Sequence, residues 1–158
     1  MSSSPELLVI GLGNRLRGDD AIGLVLAERL AANNPQSVAV MQHEENDALS
    51  LANDLLDHSG PLLIIDCADM GLSPGEWRLF RSGDASLRRR TAGISTHGLG
   101  LADALELATA LGRQGENWVF GVQPAGLDRG APLSATIMQK LPEISAALQE
   151  TIRRLKAE

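Results

Sequence analysis

The sequence predicts an α/β fold, a three-layer α/β/α sandwich built on a mainly parallel five-stranded sheet. Short apolar runs of strand length alternate with longer amphipathic stretches of helical period, a pattern typical of a sheet covered by helices on both faces. The run Leu62–Cys67 places four apolar residues in succession, as expected for a strand buried on both faces. No linker or internal repeat divides the 158 residues, so we expect a single domain over residues 1–158.

The elements follow from the positions of the apolar residues. Strands are predicted at residues 7–12, 37–42, 62–67, 76–80 and 118–122, and helices at 20–32, 46–57 and 97–111. The fourth strand follows the third without a helix between them, which predicts an antiparallel edge strand. Apolar residues three and four apart between 137 and 155 indicate a last helix that packs on the core. Pro142 is expected to kink or restart that helix near its beginning.

Composition and charge exclude several classes of protein. The formal net charge of -6 and an aromatic content of 3% argue against a nucleic-acid partner, and the short basic run 88–90 is interpreted as a solvated loop. A single cysteine, Cys67, excludes an internal disulfide and fits a reducing compartment. No apolar run approaches the roughly 18 residues of a membrane span, and residues 1–6 lack the features of a secretory signal. We therefore expect a cytoplasmic protein that does not associate with membranes.

The stretch GLGNRLRGDDAIG, residues 11–23, follows the first strand and raises the question of a nucleotide site. It keeps the first two glycines of the dinucleotide-binding pattern G-x-G-x-x-G but has Leu16 in place of the third glycine. Asp19 and Asp20 would repel a phosphate at the start of the next helix. No nucleotide cofactor is therefore expected. Since aspartate is a favoured helix N-cap, one of Asp19 and Asp20 is interpreted as the cap, which leaves the other available as a ligand.

Two further polar positions follow predicted strands or open predicted helices. Asp66 comes directly after four buried apolar residues, where a charge needs a cation or several hydrogen-bond donors. His97 opens the third helix within STHGLGLAD, residues 95–103. Because the carboxyl ends of parallel strands meet at one edge of a sheet, Asp66 and His97 could converge there with Asp19 or Asp20. Two carboxylates and an imidazole can bind a divalent transition-metal ion and leave coordination positions open. Taken singly, each residue also has an ordinary structural explanation.

Other polar candidates are weaker. Asp69 is interpreted as a cap of the turn that follows the third strand. Cys67 has no basic partner nearby in sequence that would activate a nucleophile, so we expect it to act as a small buried apolar residue. His43 and His58 lie at a strand end and in a surface loop, which gives neither a clear role.

A resemblance to a known family rests on five segments of the chain. They are residues 11–23, 62–76 and 95–103, GVQP at 121–124 and PLS at 132–134. From about residue 8 to its end, the chain resembles the hydrogenase maturation proteases, endopeptidases that process the large subunit of [NiFe] hydrogenases. The amino-acid sequence of residues 45–53 and 69–76 is most similar to that of the branch that processes hydrogenase-3.

The resemblance implies a function and a site. Asp20, Asp66 and His97 match the positions of the family's metal ligands, which are also its catalytic residues. Asp19 is therefore interpreted as the cap of the following helix. The metal is nickel, supplied by the substrate, which is the large-subunit precursor of a [NiFe] hydrogenase. After nickel insertion the protease removes a short C-terminal extension from that precursor. A monomer is expected, since the protease must admit a large partner.

One departure from the family concerns the loop after the second strand. Family members often carry Asp-Gly-Gly there, in a loop implicated in substrate choice, whereas this chain has Gln-His-Glu-Glu-Asn at residues 42–46. Glu44 or Glu45 could replace the acid, but the geometry of the loop must differ. The departure therefore concerns the choice of substrate and not the type of reaction.

Two other functions remain open on the sequence alone. A peptidyl-tRNA hydrolase-like enzyme also begins with a strand and GLGN, but it has a histidine soon after that motif where this chain has residues 15–20, and the negative charge does not suit tRNA. The other alternative is a metal-sensing chaperone that binds the precursor without cleaving it.

Overall fold

The computed structural model describes residues 6–34, 36–44, 48–81 and 101–157. Its strands are β1 (Leu8–Leu12), β2 (Ala39–His43), β3 (Leu62–Cys67), β4 (Trp77–Arg81) and β5 (Asn117–Val122). Its α-helices are α1 (Ile22–Ala32), α2 (Ala48–Asp57), α3 (Leu101–Ala110) and α4 (Ala135–Ala157), and a short 3₁₀ helix at Gly18–Ala21 precedes α1.

The five strands form one sheet in the order β2-β1-β3-β5-β4. The pairs β1–β2, β1–β3 and β3–β5 are parallel, and β4 runs antiparallel to β5 at the edge. The predicted fold class is therefore confirmed, including the antiparallel edge strand. The carboxyl ends of β1, β2, β3 and β5 meet at one edge of the sheet.

Helices cover both faces of the sheet. Because successive residues of a strand point to opposite faces, the contacts of β2 distinguish the two layers. Gln42 donates through Nε2 to the carbonyl oxygen of Leu24 in α1 at 3.0 Å, whereas the next residue, His43, contacts Asp54 in α2. Helix α4 shares a groove with α1, and α3 packs against α2. One layer thus contains α1 and α4, and the other contains α2 and α3.

The core runs along β3 and the apolar stripe of α4. The first four side chains of β3 are completely buried, in agreement with their apolar run. Helix α4 continues through Pro142 as one element from Ala135 to Ala157, so of the two predicted effects, a kink or a restart, the restart does not occur. Pro142 itself is exposed, and the residues buried on either side of it, from Ile137 to Ile152, share one helical stripe. Burial of that stripe offsets the loss of the backbone hydrogen bond that the proline cannot donate.

No helix among the described residues is long and apolar enough to cross a membrane.

Gly23 lets α1 approach the carboxyl ends of β1 and β3. A Cβ at this position would lie 2.1 Å from the carbonyl oxygen of Leu12 and 2.4 Å from that of Ile65. We expect Gly23→Ala to lower the free energy of unfolding by at least about 2 kcal/mol, because overpacking outweighs the better helix propensity of alanine. Urea denaturation measures the change. Gly126→Ala is the matched control, since nothing lies within 4 Å of its added Cβ. An unchanged urea midpoint for Gly23→Ala would contradict the close approach.

Candidate functional site

The chain turns back sharply after β1 and brings Asp20 to the carboxyl edge of the sheet. The N–H of Gly13 donates to the carbonyl oxygen of His43 at 3.2 Å. A Cβ on Gly13 would lie 2.2 Å from the carbonyl oxygen of Asp20. The side chain of Asn14 accepts a hydrogen bond from the N–H of Leu16 at 2.8 Å and shapes the turn. The glycine-rich stretch therefore forms a tight exit from the strand, with the backbone of Asp20 packed against it.

Asp19 anchors a distant loop and does not cap α1, contrary to the sequence-based expectation. Its fully buried carboxylate accepts hydrogen bonds from the N–H groups of Ala125 and Gly126 at 2.8 and 3.0 Å. It also accepts from the N–H and hydroxyl of Ser134 at 2.7 and 2.9 Å. The N-cap of α1 is Ala21, which makes no side-chain capping bond. The 3₁₀ helix occupies the junction, so the side chain of Asp19 is directed to the loop before α4.

Asp20 and Asp66 interact electrostatically at the carboxyl edge of the sheet. Asp20 is 5% exposed, and Asp66 is partly exposed near the end of β3. Burial, and then repulsion by the Asp20 carboxylate, raises the pKa of Asp66 well above its ordinary value of 3.8. The N–H of Cys67, which donates to Asp66 at 2.8 Å, only partly opposes this effect. Two mutually repelling carboxylates in desolvated surroundings form a favourable place for a cation.

The third predicted site residue, His97, lies outside the described residues. Helix α3 begins at Leu101, and six residues connect its end to the start of β5. Since β5 starts at the amino edge of the sheet, α3 runs from the carboxyl edge towards the amino edge. Within the described part of the chain, no group of three or more histidine, cysteine, aspartate or glutamate side chains could hold a metal ion. That part supplies two members of the predicted set.

Cys67 and Asp69 have structural roles, as expected. The Cys67 side chain is completely buried. Burial, followed by the neighbouring Asp66 carboxylate, raises the pKa of its thiol well above 9.0, which disfavours the nucleophilic thiolate. Asp69 is exposed, and its Oδ1 accepts a hydrogen bond from the N–H of Gly71 at 3.3 Å. It therefore caps the turn after β3.

Gln123, just past the end of β5, was not singled out from the sequence. Its buried side chain accepts hydrogen bonds through Oε1 from the N–H groups of Met70 and Leu72 at 2.6 and 3.3 Å, and donates through Nε2 to Asp69 at 3.2 Å. These bonds fix the segment that follows Asp66. An amide side chain immediately after an apolar strand, within GVQP, was the available signal.

Two further features at the end of β2, a histidine–aspartate pair and an ion-pair cluster, were not predicted from the sequence. Nε2 of His43 lies 2.5 Å from Oδ2 of Asp54. Arg15 bonds the exposed Glu44 and Glu28 at 3.1–3.2 Å and so connects the loop after β1 to the end of β2. Glu44, one of the two acids proposed to replace the family's loop aspartate, is engaged in this cluster. The other, Glu45, lies outside the described residues.

Comparison with known proteins gives consistent results. A sequence model of the hydrogenase maturation protease family matches residues 26–151. The hydrogenase expression/formation protein HupD of Thiocapsa roseopersicina is 30% identical over 152 residues, which cover 94% of this chain and 69% of HupD. The hydrogenase 3 maturation protease of Escherichia coli is 36% identical over 80 residues, 49% of each chain. The hydrogenase maturating endopeptidase HybD of E. coli superposes with a TM-score of 0.78 and 26% identity, over 94% of this chain and 93% of HybD.

Proposed function

The chain belongs to the hydrogenase maturation protease family and is a peptidase; on that premise we propose that it removes the C-terminal extension of a [NiFe] hydrogenase large-subunit precursor once nickel has been inserted. The observation that carries the proposal is the interaction of Asp20 with Asp66 at the carboxyl edge of the sheet. Their repulsion is relieved when a cation is presented between them. His97, four residues before the start of α3, is the proposed third ligand.

The nickel ion belongs to the substrate in this proposal. Carboxylate and imidazole ligands suit a divalent transition-metal ion, and three protein ligands leave positions for groups of the precursor. Nickel-loaded precursor gains binding energy at Asp20 and Asp66 that empty precursor lacks, and selectivity is that difference in affinity. A divalent ion held beside the scissile bond polarises its carbonyl or activates water. The order of nickel insertion and cleavage follows from this selectivity.

The proposed substrate branch is hydrogenase-3. The similarity of residues 45–53 and 69–76 to that branch supports it, as does the 36% identity with the E. coli hydrogenase 3 maturation protease. We also propose that the protein acts as a monomer in the cytoplasm. A site that must receive a folded large subunit favours the monomer, and a single buried cysteine suits a reducing compartment.

Incubation with matched precursors tests the proposal. We expect nickel-loaded large-subunit precursor to lose its C-terminal extension, detected by intact-protein mass spectrometry. Nickel-free precursor should stay intact, because it cannot relieve the repulsion between the two carboxylates. The proposal is wrong if neither precursor is shortened. Binding of loaded precursor without cleavage would instead support a metal-sensing chaperone.

A further inference from the structure

We propose that His43, oriented by Asp54, is the proton-transfer residue for peptide-bond hydrolysis at the Asp20–Asp66 site. This inference rests on the proposed function and adds a group that the two carboxylates do not supply. If both carboxylates hold the substrate's nickel, a separate group must accept a proton from the attacking water and return it to the leaving amine.

The sheet places His43 level with Asp66. His43 pairs with Leu12 across the β1–β2 ladder. Asp66 directly follows Ile65, which pairs with Gly11 across the β1–β3 ladder, so Asp66 is also level with Leu12. Two strand intervals of about 4.8 Å therefore separate the Cα atoms of His43 and Asp66, roughly 10 Å in total. A peptide crossing this edge can lie between the two side chains.

Both side chains project from the same face of the sheet. Residues that are level in neighbouring parallel strands point to the same side. The contact of His43 with Asp54 identifies that side as the layer of α2 and α3. The neighbouring Gln42 points the other way, to α1. Helix α3 begins at the carboxyl edge in the same layer. His43 thus flanks the site on the face where Asp66 lies.

The contact with Asp54 fixes the imidazole for base catalysis. The two side chains are 12% and 28% exposed, so the 2.5 Å contact is partly shielded from solvent. A carboxylate that accepts from Nε2 selects the tautomer with the proton on Nε2 and leaves the lone pair on Nδ1. A histidine oriented in this way by a carboxylate is the usual arrangement for proton transfer.

The proposed step is hydrolysis with one proton carried by His43. Nδ1 accepts a proton from water as the water oxygen bonds to the scissile carbonyl carbon. Asp54 stabilises the resulting imidazolium without taking its proton. The C–N bond then breaks, and Nδ1 returns the proton to the leaving nitrogen. The products are a new C-terminal carboxyl group and a free amine, with the imidazole restored.

A purely structural role for the pair is the competing interpretation. The contact also ties the end of β2 to α2 and could serve only to close the intervening loop. His58 provides the comparison within the same chain. Its Nε2 lies 3.2 Å from the carbonyl oxygen of Pro61, next to the amino end of β3, and no carboxylate contacts it among the described residues. His58 should therefore be dispensable for catalysis.

Single-turnover cleavage of nickel-loaded precursor tests the inference. We expect His43→Gln and His43→Ala to slow cleavage by at least about 100-fold, with binding of the loaded precursor within about threefold of wild type. Added imidazole should restore a measurable part of the rate to His43→Ala only. Asp54→Asn should slow cleavage by a smaller factor, because it no longer fixes the tautomer. His58→Gln and His58→Ala, with and without imidazole, are the matched controls and should cleave at the wild-type rate.

Each result decides the question. If the wild-type protein cleaves the loaded precursor and folded His43→Gln cleaves it at the same rate, this inference is overturned and the proposed function is left intact. A loss of cleavage that parallels a loss of binding, with no rescue by imidazole, also overturns it and assigns the pair to the loop. If wild type itself fails to cleave loaded precursor, the proposed function fails first. Circular dichroism establishes that each variant is folded, and His43→Gln keeps a donor for Asp54 if the alanine variant is unstable.

Discussion

Asp66→Asn is expected to abolish processing of the nickel-loaded precursor and to make the protein harder to unfold at neutral pH. The carboxylate of Asp66 is raised in free energy by burial and by repulsion from Asp20. An amide has similar shape and no charge, so it removes that penalty together with the proposed ligand. Since loss of an interaction that supports a metal costs 10- to 100-fold, we expect loss of a ligand to reduce cleavage by at least about 100-fold.

The stability effect has a definite dependence on pH. The pKa of Asp66 is higher in the folded protein than in the unfolded chain, so the folded state binds more protons in the interval between the two values. The free energy of unfolding therefore falls as pH rises through that interval. Below the ordinary value of 3.8 the side chain is protonated in both states, and the substitution should have little effect. At pH 7 we expect Asp66→Asn to raise the free energy of unfolding, because the amide carries no charge that burial or the Asp20 carboxylate could destabilise.

Urea denaturation at pH 7 and near pH 3.5, together with the cleavage assay, measures both effects. Asp57→Asn is the matched control, because Asp57 is an exposed residue at the last position of α2. It should leave cleavage unchanged, which separates the loss of a ligand from the mere loss of a negative charge. A destabilised Asp66→Asn at pH 7 would contradict the electrostatic description of the site, and full activity would exclude Asp66 as a ligand. A stabilised but inactive protein is the signature of a residue kept for function at a cost in stability.

Most of the fold was predictable because local patterns determine it. The continuous apolar run of β3 was placed with its observed bounds, since a strand buried on both faces leaves no alternation to misread. The antiparallel edge followed from the short connection between β3 and β4. A kink or a restart was predicted at Pro142, and the helix does not restart there, because the local penalty of proline is smaller than the stabilisation from burial along the whole of α4. Tertiary packing there overrode a local rule.

The site was predictable only in part. Asp66 and the Asp19–Asp20 pair could be placed at one edge because each follows a strand, a property that sequence order reveals, and the family resemblance then selected Asp20 as the proposed ligand. The partners of Asp19 lie more than 100 residues further along the chain, where no local pattern points to them. The sequence indicates no clear role for His43 for the same reason, since its partner Asp54 belongs to the next helix. Side chains that bond across elements are recognised only once the elements are placed.

Asp19→Ala is expected to cause the largest loss of stability of any substitution at the site. It leaves three backbone N–H groups and the hydroxyl of Ser134 without their acceptor. An unsatisfied buried donor costs about 1–3 kcal/mol. Allowing for partial rearrangement, we expect the free energy of unfolding to fall by about 3–5 kcal/mol in urea denaturation. Cleavage should fall as well, because Asp19 positions the neighbouring Asp20.

Ser134→Ala is the graded control for Asp19→Ala. It removes one of the four bonds to Asp19 and a weak 3.3 Å bond to the N–H of Ile137 at the start of α4, so a loss of about 1–2 kcal/mol is expected. If Asp19→Ala cost only about 1 kcal/mol, the value typical of a helix cap, the anchoring role would be wrong. If Asp19→Ala lowers the free energy of unfolding several times as much as Ser134→Ala does, the two adjacent aspartates have different roles. Asp19 secures the loop before α4, and Asp20 is thereby held against Asp66 despite their repulsion.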